Sequence, residues 1–490
     1  MALALTPFER RGVVLLIIAI VAVRLATLGA YPLMDSTESR YAEIARIMVE
    51  SGNWMTPQVE SGVPFWGKPP LSTWLSAGSM AAFGINEFAA RLPSFLSLVA
   101  CGALVAMLAR RRGDRDHVLW VLLLYATMMM IAIAAGAVMT DPSLALGTTL
   151  AMVGFWSAIE GSATRRLANG AVFFVGLAIG LLAKGPVALV LVFIPLVLWT
   201  LLEWRWLRVW RALPWVLGVG LTAALVVPWY WLEERMTPGF LEYFLVGEHW
   251  RRFVDSGWKG DLYGAAHAHP RGTIWAYWVF GALPWSIVAI AWVGRVLTRQ
   301  RAELHRLLTD PWLCYLLLWA IAPMLFFTLA RNVLPTYVLP GLPAFALLIG
   351  EVWRPKAMGS GVLRPTLRTV IGGGAIALVA ILGLLAFMHQ QLETQRSHKA
   401  LVATYEARRE DASERLIYVG QRPMSAEFYT RGQMISVADV AALEPYVADQ
   451  PADFIVLRND ELAALPAATR SALSLVGQFG ESRLYREKPR

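Results

Sequence analysis

The most distinctive chemical feature of the sequence is a lysine held between a glycine and two prolines. Lys68 stands in the segment FWGKPP, residues 65–70. Pro69 restricts the backbone of Lys68 to extended conformations, and a lysine ammonium binds phosphate as a compact point charge. A lysine near a membrane can equally extend its amino group to lipid headgroups. The segment therefore allows either an anion-binding role or a structural role for Lys68.

Acidic residues that could act on a substrate hydroxyl occur in two places. Asp35 and Glu38 stand at the start of MDSTESRYAEIARIMVESGNW, and Asp141 stands in VMTDPSLAL. A carboxylate within reach of a hydroxyl can orient it or remove its proton. The spacing of Asp35 and Glu38 also fits a helix capping box, and Asp141 with Pro142 fits the first turn of a helix. Each acid is therefore a candidate catalytic group or a helix cap.

Further cations, a histidine and tyrosines lie in LLAKGPVAL, EYFLVGEHWRRFVDSGWKGDLYG and RNVLPTYVLPGLP. Ionisable residues at the mouths of membrane helices are functional candidates, although lysines there also snorkel to headgroups. One Glu-His pair is only weak support for a metal ion. The candidates from these segments, together with two neighbours of Glu38, are Lys184, Glu248, His249, Arg252, Arg331, Tyr337, Arg40 and Tyr41.

Membrane helices must position these residues. Hydrophobic residues make up 57% of the 490 residues and charged residues 16%, against about 25% charged in soluble domains. Apolar runs of roughly 16–21 residues recur, which is the length that crosses a bilayer. We predict an all-α polytopic membrane protein with spans at 13–30, 89–109, 117–137, 141–160, 168–183, 186–203, 213–232, 273–294, 311–330, 335–352 and 368–388.

The distribution of basic residues predicts the orientation of these spans. With a cytoplasmic N-terminus, most loop arginines fall in short inner loops, as the positive-inside rule requires. These loops account for the net charge of +9, so we predict no nucleic-acid partner. The long loops 31–88 and 233–272 then lie outside, and so does the C-terminal tail. All the candidate acids, cations and tyrosines converge at the outer membrane surface, which suits an anionic lipid-linked substrate.

Two shorter helices are predicted on the outer side. The segment after Asp35 predicts an amphipathic helix that lies at the interface, exposes its charged face and ends at Gly52. The apolar stretch 71–83 is too short to cross easily, so we place it in the outer interface.

The composition changes near residue 390, and we divide the chain into a membrane catalytic domain, 1–390, and a soluble domain, 391–490. ERLIYVG and ADFIVLR are typical of buried strands. VADVAALEPYVADQ and LAALPAATRSALSLVG predict amphipathic helices. We therefore expect a small α/β domain without a catalytic motif, which serves a structural or docking role.

In order along residues 31–345, six segments resemble the bacterial polyprenyl-phosphate-dependent glycosyltransferases. These are DSTESRYAEIARIMVESGNWMTP, GKPPLSTW, TDPSLAL, LLAKGPVALVL, EHWRRF and LPTYVLPGLPAFALL. The chain is similar to the aminoarabinose (lipid A modifying) transferases, which are related to protein O-mannosyltransferases. The resemblance implies a glycosyltransferase C fold with about 11–13 transmembrane helices in the bacterial inner membrane and a periplasmic C-terminal domain.

The resemblance also implies a reaction. A sugar on undecaprenyl phosphate is transferred, with inversion, to an acceptor in the outer leaflet, such as lipid A, another envelope glycan or a protein. Lys68 matches the family lysine, which stabilises charge on the departing phosphate, with Lys184 and Arg252 assisting. Tyr41 and Tyr337 match tyrosines near the phosphate cavity. The alternative is a transporter or flippase for lipid-linked sugars without transferase chemistry, which would need broken helices or repeats near the midplane.

The acidic motif of the family maps onto Asp35 to Glu38, and Asp141 matches the acid of the later loop. Relatives usually place Asp-Glu where this chain has Thr37-Glu38, so the acid that acts as base stays open among the three. Relatives also place Glu before the lysine, where this chain has Gly67. In the family that glutamate can join the loop histidine at a divalent metal. Without it, His249 lacks a partner ligand, and we do not predict a metal.

Overall fold

The computed structural model of the protein describes residues 5–254, 258, 260–263, 269–299, 301–353, 396–447 and 452–488, with isolated positions 372, 379 and 383. The helices that precede the C-terminal unit are α1 (Pro7–Ala26), α2 (Thr37–Ser51), α3 (Leu71–Phe83), α4 (Glu87–Arg112), α5 (Arg115–Ala126), α6 (Met129–Ala134), α7 (Asp141–Glu160), α8 (Ala163–Lys184), α9 (Val187–Leu202), α10 (Trp206–Ala212), α11 (Trp215–Met236), α12 (Arg252–Val254), α13 (Thr273–Gly281), α14 (Trp285–Arg299), α15 (Arg301–Thr309), α16 (Pro311–Phe327) and α17 (Leu342–Val352). A π-helix, Glu242–Arg251, precedes α12, and a 3-10 helix, Pro335–Gly341, precedes α17. Strands β1 (Gln58–Glu60) and β2 (Val63–Pro64) pair antiparallel.

Apolar helices dominate this part of the chain. Within the described ranges, five helices are long and apolar enough to cross a membrane: Glu87–Arg112, Asp141–Glu160, Thr164–Lys184, Trp215–Met236 and Pro335–Val352. The bent pair α13 and α14 makes a sixth if it is one span, and α9 and α16 are shorter apolar helices. Each predicted span from 13–30 to 335–352 coincides with a helix or with two consecutive helices. The predicted span 368–388 lies almost wholly outside the described residues.

Two predicted spans are broken, and their breaks meet. The range 117–137 divides into α5 and α6, and 273–294 divides into α13 and α14, which are bent by 114°. Pro284 lies at the second break, where it has no backbone N–H to donate. The Met129 N–H donates to the Leu283 carbonyl at 3.0 Å, and the Trp285 indole donates to Thr127 Oγ1 at 2.8 Å. The prediction of two continuous spans is therefore wrong, and each break supplies hydrogen-bond partners to the other.

Helices α7 and α8 pack unusually closely because glycines face each other along their contact. A Cβ atom on Gly147 would lie 2.5 Å from the backbone nitrogen of Gly180, and one on Gly154 would lie 2.5 Å from that of Phe173. Small residues allow this approach of membrane helices. The two helices are antiparallel neighbours, so the start of α7 and the end of α8 lie together.

The predicted helix after Asp35 is confirmed as α2, but its surroundings differ from the prediction. The helix ends at Gly52, whose φ of 69° is left-handed. Glu43 and Arg46 are nevertheless buried, because the C-terminal unit packs over this face of α2. The prediction of an exposed charged face is wrong for these residues. The predicted side-chain cap is also wrong, because the N-cap residue Ser36 makes no side-chain cap hydrogen bond.

The C-terminal unit contains α18 (Lys399–Arg408), β3 (Leu416–Val419), α19 (Met424–Tyr429), β4 (Ile435–Val437), a 3-10 turn (Ala441–Leu443), α20 (Glu444–Val447), β5 (Phe454–Leu457), α21 (Asn459–Ala464), α22 (Ala467–Ala472), β6 (Leu473–Phe479) and β7 (Ser482–Glu487). The sheet order is β4-β3-β5-β7-β6. Strands β4, β3 and β5 are parallel, and β7 is antiparallel to β5 and β6.

This sheet confirms the small α/β unit and its two predicted strands. The helix predicted for LAALPAATRSALSLVG is wrong in its second half. Pro466 separates α21 from α22, and the residues from Leu473 onward form β6. The predicted VADVAALEPYVADQ helix is reduced to the 3-10 turn and α20 among the residues described there.

Candidate active site

The lysine of FWGKPP and an arginine of the second loop share one carboxylate. Lys68 Nζ lies 2.6 Å from Glu248 Oε1, and Arg252 Nη1 lies 2.6 Å from Glu248 Oε2. Arg252 Nη2 lies 3.2 Å from Asp261 Oδ2. Glu248 belongs to the π-helix, and Arg252 follows four residues later. Two loops that are far apart in sequence are therefore joined by ion pairs.

The loop that carries Lys68 is fixed by aromatic rings. The Phe65 and Tyr263 ring centroids lie 4.5 Å apart, and the Tyr263 hydroxyl accepts the Trp66 N–H at 2.9 Å. A Cβ atom on Gly67 would lie 2.7 Å from Phe65 Cζ and 3.2 Å from Tyr263 Cδ2. Glycine is therefore the residue that fits before Lys68 while these rings keep their places.

A second ion pair joins α7 to α8. Lys184 Nζ lies 2.6 Å from Asp141 Oδ1 and 4.2 Å from the centre of the Tyr337 ring. His249 Nε2 lies 3.1 Å from the Lys184 carbonyl oxygen, and His249 Nδ1 lies 2.8 Å from that of Phe244. Because His249 adjoins Glu248, the two ion-pair groups form one connected cluster. Asp141 therefore binds Lys184, and its side chain does not cap α7.

The charges of this cluster determine its protonation. Burial alone would raise the pKa of Glu248, but Lys68 and Arg252 outweigh burial and hold it at about 2. Burial alone would lower the pKa of Lys68, but the attraction of Glu248 raises it. Burial raises the pKa of Tyr41, despite the opposing effect of Lys68 and Lys184 nearby. At neutral pH Lys68 and Arg252 are therefore charged, and the Tyr41 phenol keeps its proton.

Each of the three cations in the cluster has a carboxylate partner: Glu248 for Lys68, Glu248 and Asp261 for Arg252, and Asp141 for Lys184. Three positive charges thus face three negative charges. The cluster is a set of strong hydrogen-bond donors whose charge is compensated. An anion that binds the donors now held by Glu248 must share or displace that carboxylate.

Arg40 adds a cation beside this cluster. It lines a cavity of about 500 Å³ together with Glu60, Trp66, Tyr263 and Met424. Throughout the described ranges, no carboxylate forms an ion pair with Arg40. Because Met424 belongs to α19, the cavity lies between the first loop and the C-terminal unit.

Glu38 lies in a separate, buried network. Arg91 Nε lies 2.8 Å from Glu38 Oε1, and Arg91 Nη2 lies 3.1 Å from Glu38 Oε2. The same carboxylate accepts the backbone N–H groups of Met34 at 3.0 Å and Val138 at 3.2 Å. Arg91 is fully buried, and it also donates to the carbonyl oxygens of Leu28, Tyr31 and Pro32. The pair therefore holds the chain segment that leads into α2.

Asp35 connects the membrane part to the C-terminal unit. Its Oδ1 accepts the Ser425 N–H at 2.8 Å and the Ser39 hydroxyl at 2.6 Å, and its Oδ2 accepts the Ser425 hydroxyl. The Asp35 N–H donates to the Arg396 carbonyl at 2.8 Å. None of these contacts joins Asp35 to Lys68 or Lys184.

Arg331 lies apart from the cluster as well. Its side chain is exposed, and its carbonyl oxygen accepts the His269 N–H at 2.8 Å. The structure thus brings together Lys68, Lys184, Arg252, Glu248, His249, Asp141, Tyr41 and Tyr337, with Arg40 at the adjoining cavity, and it places Asp35, Glu38 and Arg331 elsewhere.

Sequence reasoning missed Arg91, Asp261 and Tyr263. Arg91 could have been found from its position, because it lies inside the predicted span 89–109 and a charge at that depth needs a partner. No sequence pattern indicated Asp261 or Tyr263, whose roles depend on a contact between two loops.

The residues around His249 do not fit a divalent metal. Gly67 offers no ligand, and both ring nitrogens of His249 face carbonyl oxygens. In the described part of the chain, no three His, Cys, Asp or Glu residues are grouped as metal ligands.

Comparisons with known proteins support the family suggested by the motifs. Residues 12–244 match the family model of dolichyl-phosphate-mannose-protein mannosyltransferases. The undecaprenyl phosphate-α-4-amino-4-deoxy-L-arabinose arabinosyl transferase 1 of Pseudomonas fluorescens (strain Pf0-1) is 32% identical over 395 residues, which cover 78% of this chain and 65% of that protein. The corresponding transferase of Pseudomonas savastanoi pv. phaseolicola is 32% identical over 383 residues, which cover 77% and 67%. The chain thus spans about two thirds of the length of these relatives.

The fold is also that of a solved relative. The crystal structure of ArnT from Cupriavidus metallidurans bound to undecaprenyl phosphate has a TM-score of 0.79 and 20% sequence identity, and the match covers 98% of this chain and 99% of that one. The predicted glycosyltransferase C fold is confirmed, and the chain is an integral inner-membrane protein. Its similarity to the Pseudomonas proteins shows that it belongs to the family of undecaprenyl phosphate-aminoarabinose arabinosyl transferases.

Proposed function

We propose that this protein is an inverting glycosyltransferase that moves a sugar from undecaprenyl phosphate, or a similar polyprenyl phosphate, to a lipid or glycan acceptor at the periplasmic face. The names of the relatives support aminoarabinose on undecaprenyl phosphate as the donor. The resemblance described in the sequence analysis makes lipid A the acceptor that we propose. The observation that carries the proposal is the convergence of Lys68 and Arg252 on Glu248, next to the Lys184–Asp141 pair.

These cations suit the leaving group of the reaction. Breaking the glycosidic bond leaves negative charge on the polyprenyl phosphate, and donors fixed around that charge lower the barrier. Lys68, Arg252 and Lys184 supply such donors. The hydroxyl groups of Tyr41 and Tyr337 can donate further hydrogen bonds to phosphate oxygens. Since Glu248 already engages two of the cations, the phosphate takes over part of their hydrogen bonding.

The acceptor must lose a proton when it attacks the sugar, and Asp141 is our candidate for the carboxylate that takes it. Of Asp35, Glu38 and Asp141, it is the one that pairs with a cation of the cluster. That cation, Lys184, lies over the Tyr337 ring. Asp141 Oδ1 accepts from Lys184, and Asp141 Oδ2 has no hydrogen-bond partner among the described residues. That oxygen can accept a hydrogen bond from an acceptor hydroxyl or amine and take its proton. Asp35 and Glu38 have structural partners instead, so we assign them to support of the site.

We propose the orientation from the same layout. The cluster lies at the start of α7 and the end of α8, and the predicted cytoplasmic loops are the short basic ones at the opposite ends. We therefore place the N-terminus in the cytoplasm, and the cluster and the C-terminal unit in the periplasm.

Reconstitution tests the proposed reaction. The full chain in proteoliposomes is given undecaprenyl phosphate-linked aminoarabinose and lipid A, and mass spectrometry follows the acceptor. We expect a glycosylated acceptor with the wild type and with Lys488→Ala, a control remote from the cluster, and about 10²–10³-fold less product per unit time with Lys68→Ala. If the wild type moves the lipid-linked sugar across the bilayer without forming product, the function is transport and our proposal is wrong.

A further inference from the structure

Arg24, near the end of α1, is a buried cation without a carboxylate partner in the described part of the chain. Its side chain belongs to a residue that is 7% exposed. Nη2 lies 2.9 Å from the Tyr31 hydroxyl oxygen and 3.4 Å from the Ile133 carbonyl oxygen. Among the residues that the structure describes, Nε and Nη1 have no hydrogen-bond partner. A guanidinium does not lose its proton in proteins. Arg24 is therefore a buried positive charge whose Nε and Nη1 N–H groups lack an acceptor among the described residues.

The surroundings hold the guanidinium in place. Gly136 packs directly against it, so that any side chain at this position would occupy the space of Nη2. The Tyr31 hydroxyl donates to the Gly136 carbonyl, and the Arg24 guanidinium carbon lies 5.7 Å from the Tyr31 ring centre. Arg24 is therefore fixed by a glycine and a tyrosine, and it is not a mobile surface arginine.

An apolar groove leads to this cation. It has a volume of about 280 Å³ and lies among α1, α4, α5 and α6, lined by Arg24 with Ile20, Phe95, Leu98, Tyr125 and Ile131. A groove with such walls favours hydrocarbon and offers water few partners. The combination of a hydrocarbon-lined groove and unmet guanidinium donors matches an anionic amphiphile.

We propose that this groove binds an anionic phospholipid, with an acyl chain along the groove and the phosphate on Arg24 Nε and Nη1. The site is separate from the Lys68 cluster, which is built from α7, α8 and the two loops. It therefore does not depend on the proposed transferase activity. Tyr31 also lies against Arg91, with 3.8 Å between the Arg91 guanidinium carbon and its ring centre, so a bound lipid would rest beside the residues that hold the start of α2.

Native mass spectrometry of the full chain tests the proposal. Detergent-purified protein is titrated with phosphatidylglycerol, with zwitterionic phosphatidylcholine and, in a third arm, with undecaprenyl phosphate. We expect the wild type to retain one phosphatidylglycerol more than Arg24→Gln, and both proteins to bind phosphatidylcholine equally. If undecaprenyl phosphate occupies the Arg24-dependent position in preference to phosphatidylglycerol, the assigned lipid is wrong.

A second pair of variants keeps Arg24 intact. Ala103→Trp fills the groove from α4 at a position that lines it, and Ile18→Trp is a matched control on α1, where Ile18 is 56% exposed and does not line the groove. We expect Ala103→Trp to lose the bound phosphatidylglycerol and its thermal stabilisation, and Ile18→Trp to keep both. Equal retention of phosphatidylglycerol by wild type and Ala103→Trp overturns the proposal, even if Arg24→Gln fails to fold.

Discussion

Lys68 Nζ lies 2.6 Å from the same Glu248 carboxylate that accepts Arg252 at 2.6 Å. One acid thus holds the two cations that we assign to the donor phosphate. Glu248 orients them before the substrate binds, and it competes with the substrate for their charge. Replacing Glu248 should therefore change both the affinity for the donor phosphate and the stability of the protein, and the two can be measured separately.

Glu248→Gln should bind undecaprenyl phosphate more tightly than the wild type, with a Kd lower by about tenfold. The change removes the competing negative charge and leaves Lys68 and Arg252 with unmet donors. Ligand-induced thermal shifts in detergent give the Kd. Glu481→Gln, on the exposed turn between β6 and β7, is the control and should leave the Kd unchanged. A weaker Kd for Glu248→Gln would show that Glu248 serves the phosphate as a positioning residue and does not compete with it.

The stability of the protein should fall at the acidic pH values where Glu248 becomes protonated. Its pKa is lowered to about 2 in the folded protein, so the ion pairs stabilise the fold above the ordinary carboxyl pKa, near 4.5. This contribution, on the order of 3 kcal/mol, is lost as the pH falls from about 5 towards 2. The melting temperature of the wild type should therefore approach that of Glu248→Gln over this range. A constant difference between the two proteins would contradict the lowered pKa.

Asp141→Asn should reduce turnover by about 10²-fold or more, because an amide cannot take a proton from the acceptor. Donor binding should change much less, since Lys68 and Arg252 keep their partners and Lys184 keeps its place beside residue 141. Single-turnover assays with a saturating donor separate the two effects. Asp141→Glu restores the carboxylate and should recover part of the rate. Wild-type turnover in Asp141→Asn would remove this acid from the mechanism.

Asp35→Asn should loosen the C-terminal unit. The carboxylate accepts both the N–H and the hydroxyl of Ser425, and an amide can satisfy only part of this arrangement. We expect faster limited proteolysis near Arg396 and a lower melting temperature. Ser425→Ala removes the same contact from the other side and should produce the same proteolytic pattern. If Asp35→Asn abolishes transfer while the C-terminal unit stays protected, Asp35 acts in catalysis.

Replacing Arg91 should destabilise the whole protein. Removing one partner of a buried ion pair costs about 3–5 kcal/mol, and Arg91 also binds three loop carbonyls. Arg91→Met should therefore express poorly and melt well below the wild type, as judged by fluorescence-detected size-exclusion chromatography. The double variant Arg91→Met with Glu38→Met removes the uncompensated carboxylate and should recover some of the loss. No recovery would mean that the carbonyl contacts outweigh the ion pair.

The helices were predictable from the sequence because hydropathy acts locally. Apolar runs located the spans, and Gly52 marked the end of α2. The break at Pro284 had a visible signal in that proline, but the partner break at Thr127 did not, because it depends on a neighbour 158 residues away.

The candidate site was predictable in its cations and less so in its acids. Lys68, Lys184 and Arg252 stand in motifs whose composition indicates anion binding. Asp35, Glu38 and Asp141 looked alike as isolated carboxylates, since what separates them is the partner each one meets. Glu38 meets Arg91 across 53 residues and Asp35 meets Ser425 across 390, and local spacing does not carry that information.

The glycine contacts between α7 and α8 fix the position of one helix relative to the other. With backbone against backbone, the contact resists sliding of one helix along the other. We therefore expect little change during catalysis in the distance between Lys184, which we assign to the donor, and Asp141, which we assign to the acceptor. We then expect substrates of different shapes to be accommodated by the aromatic loop at Lys68 and the segment at Glu248. Engineering of sugar preference should begin in those loops and leave the helical frame untouched.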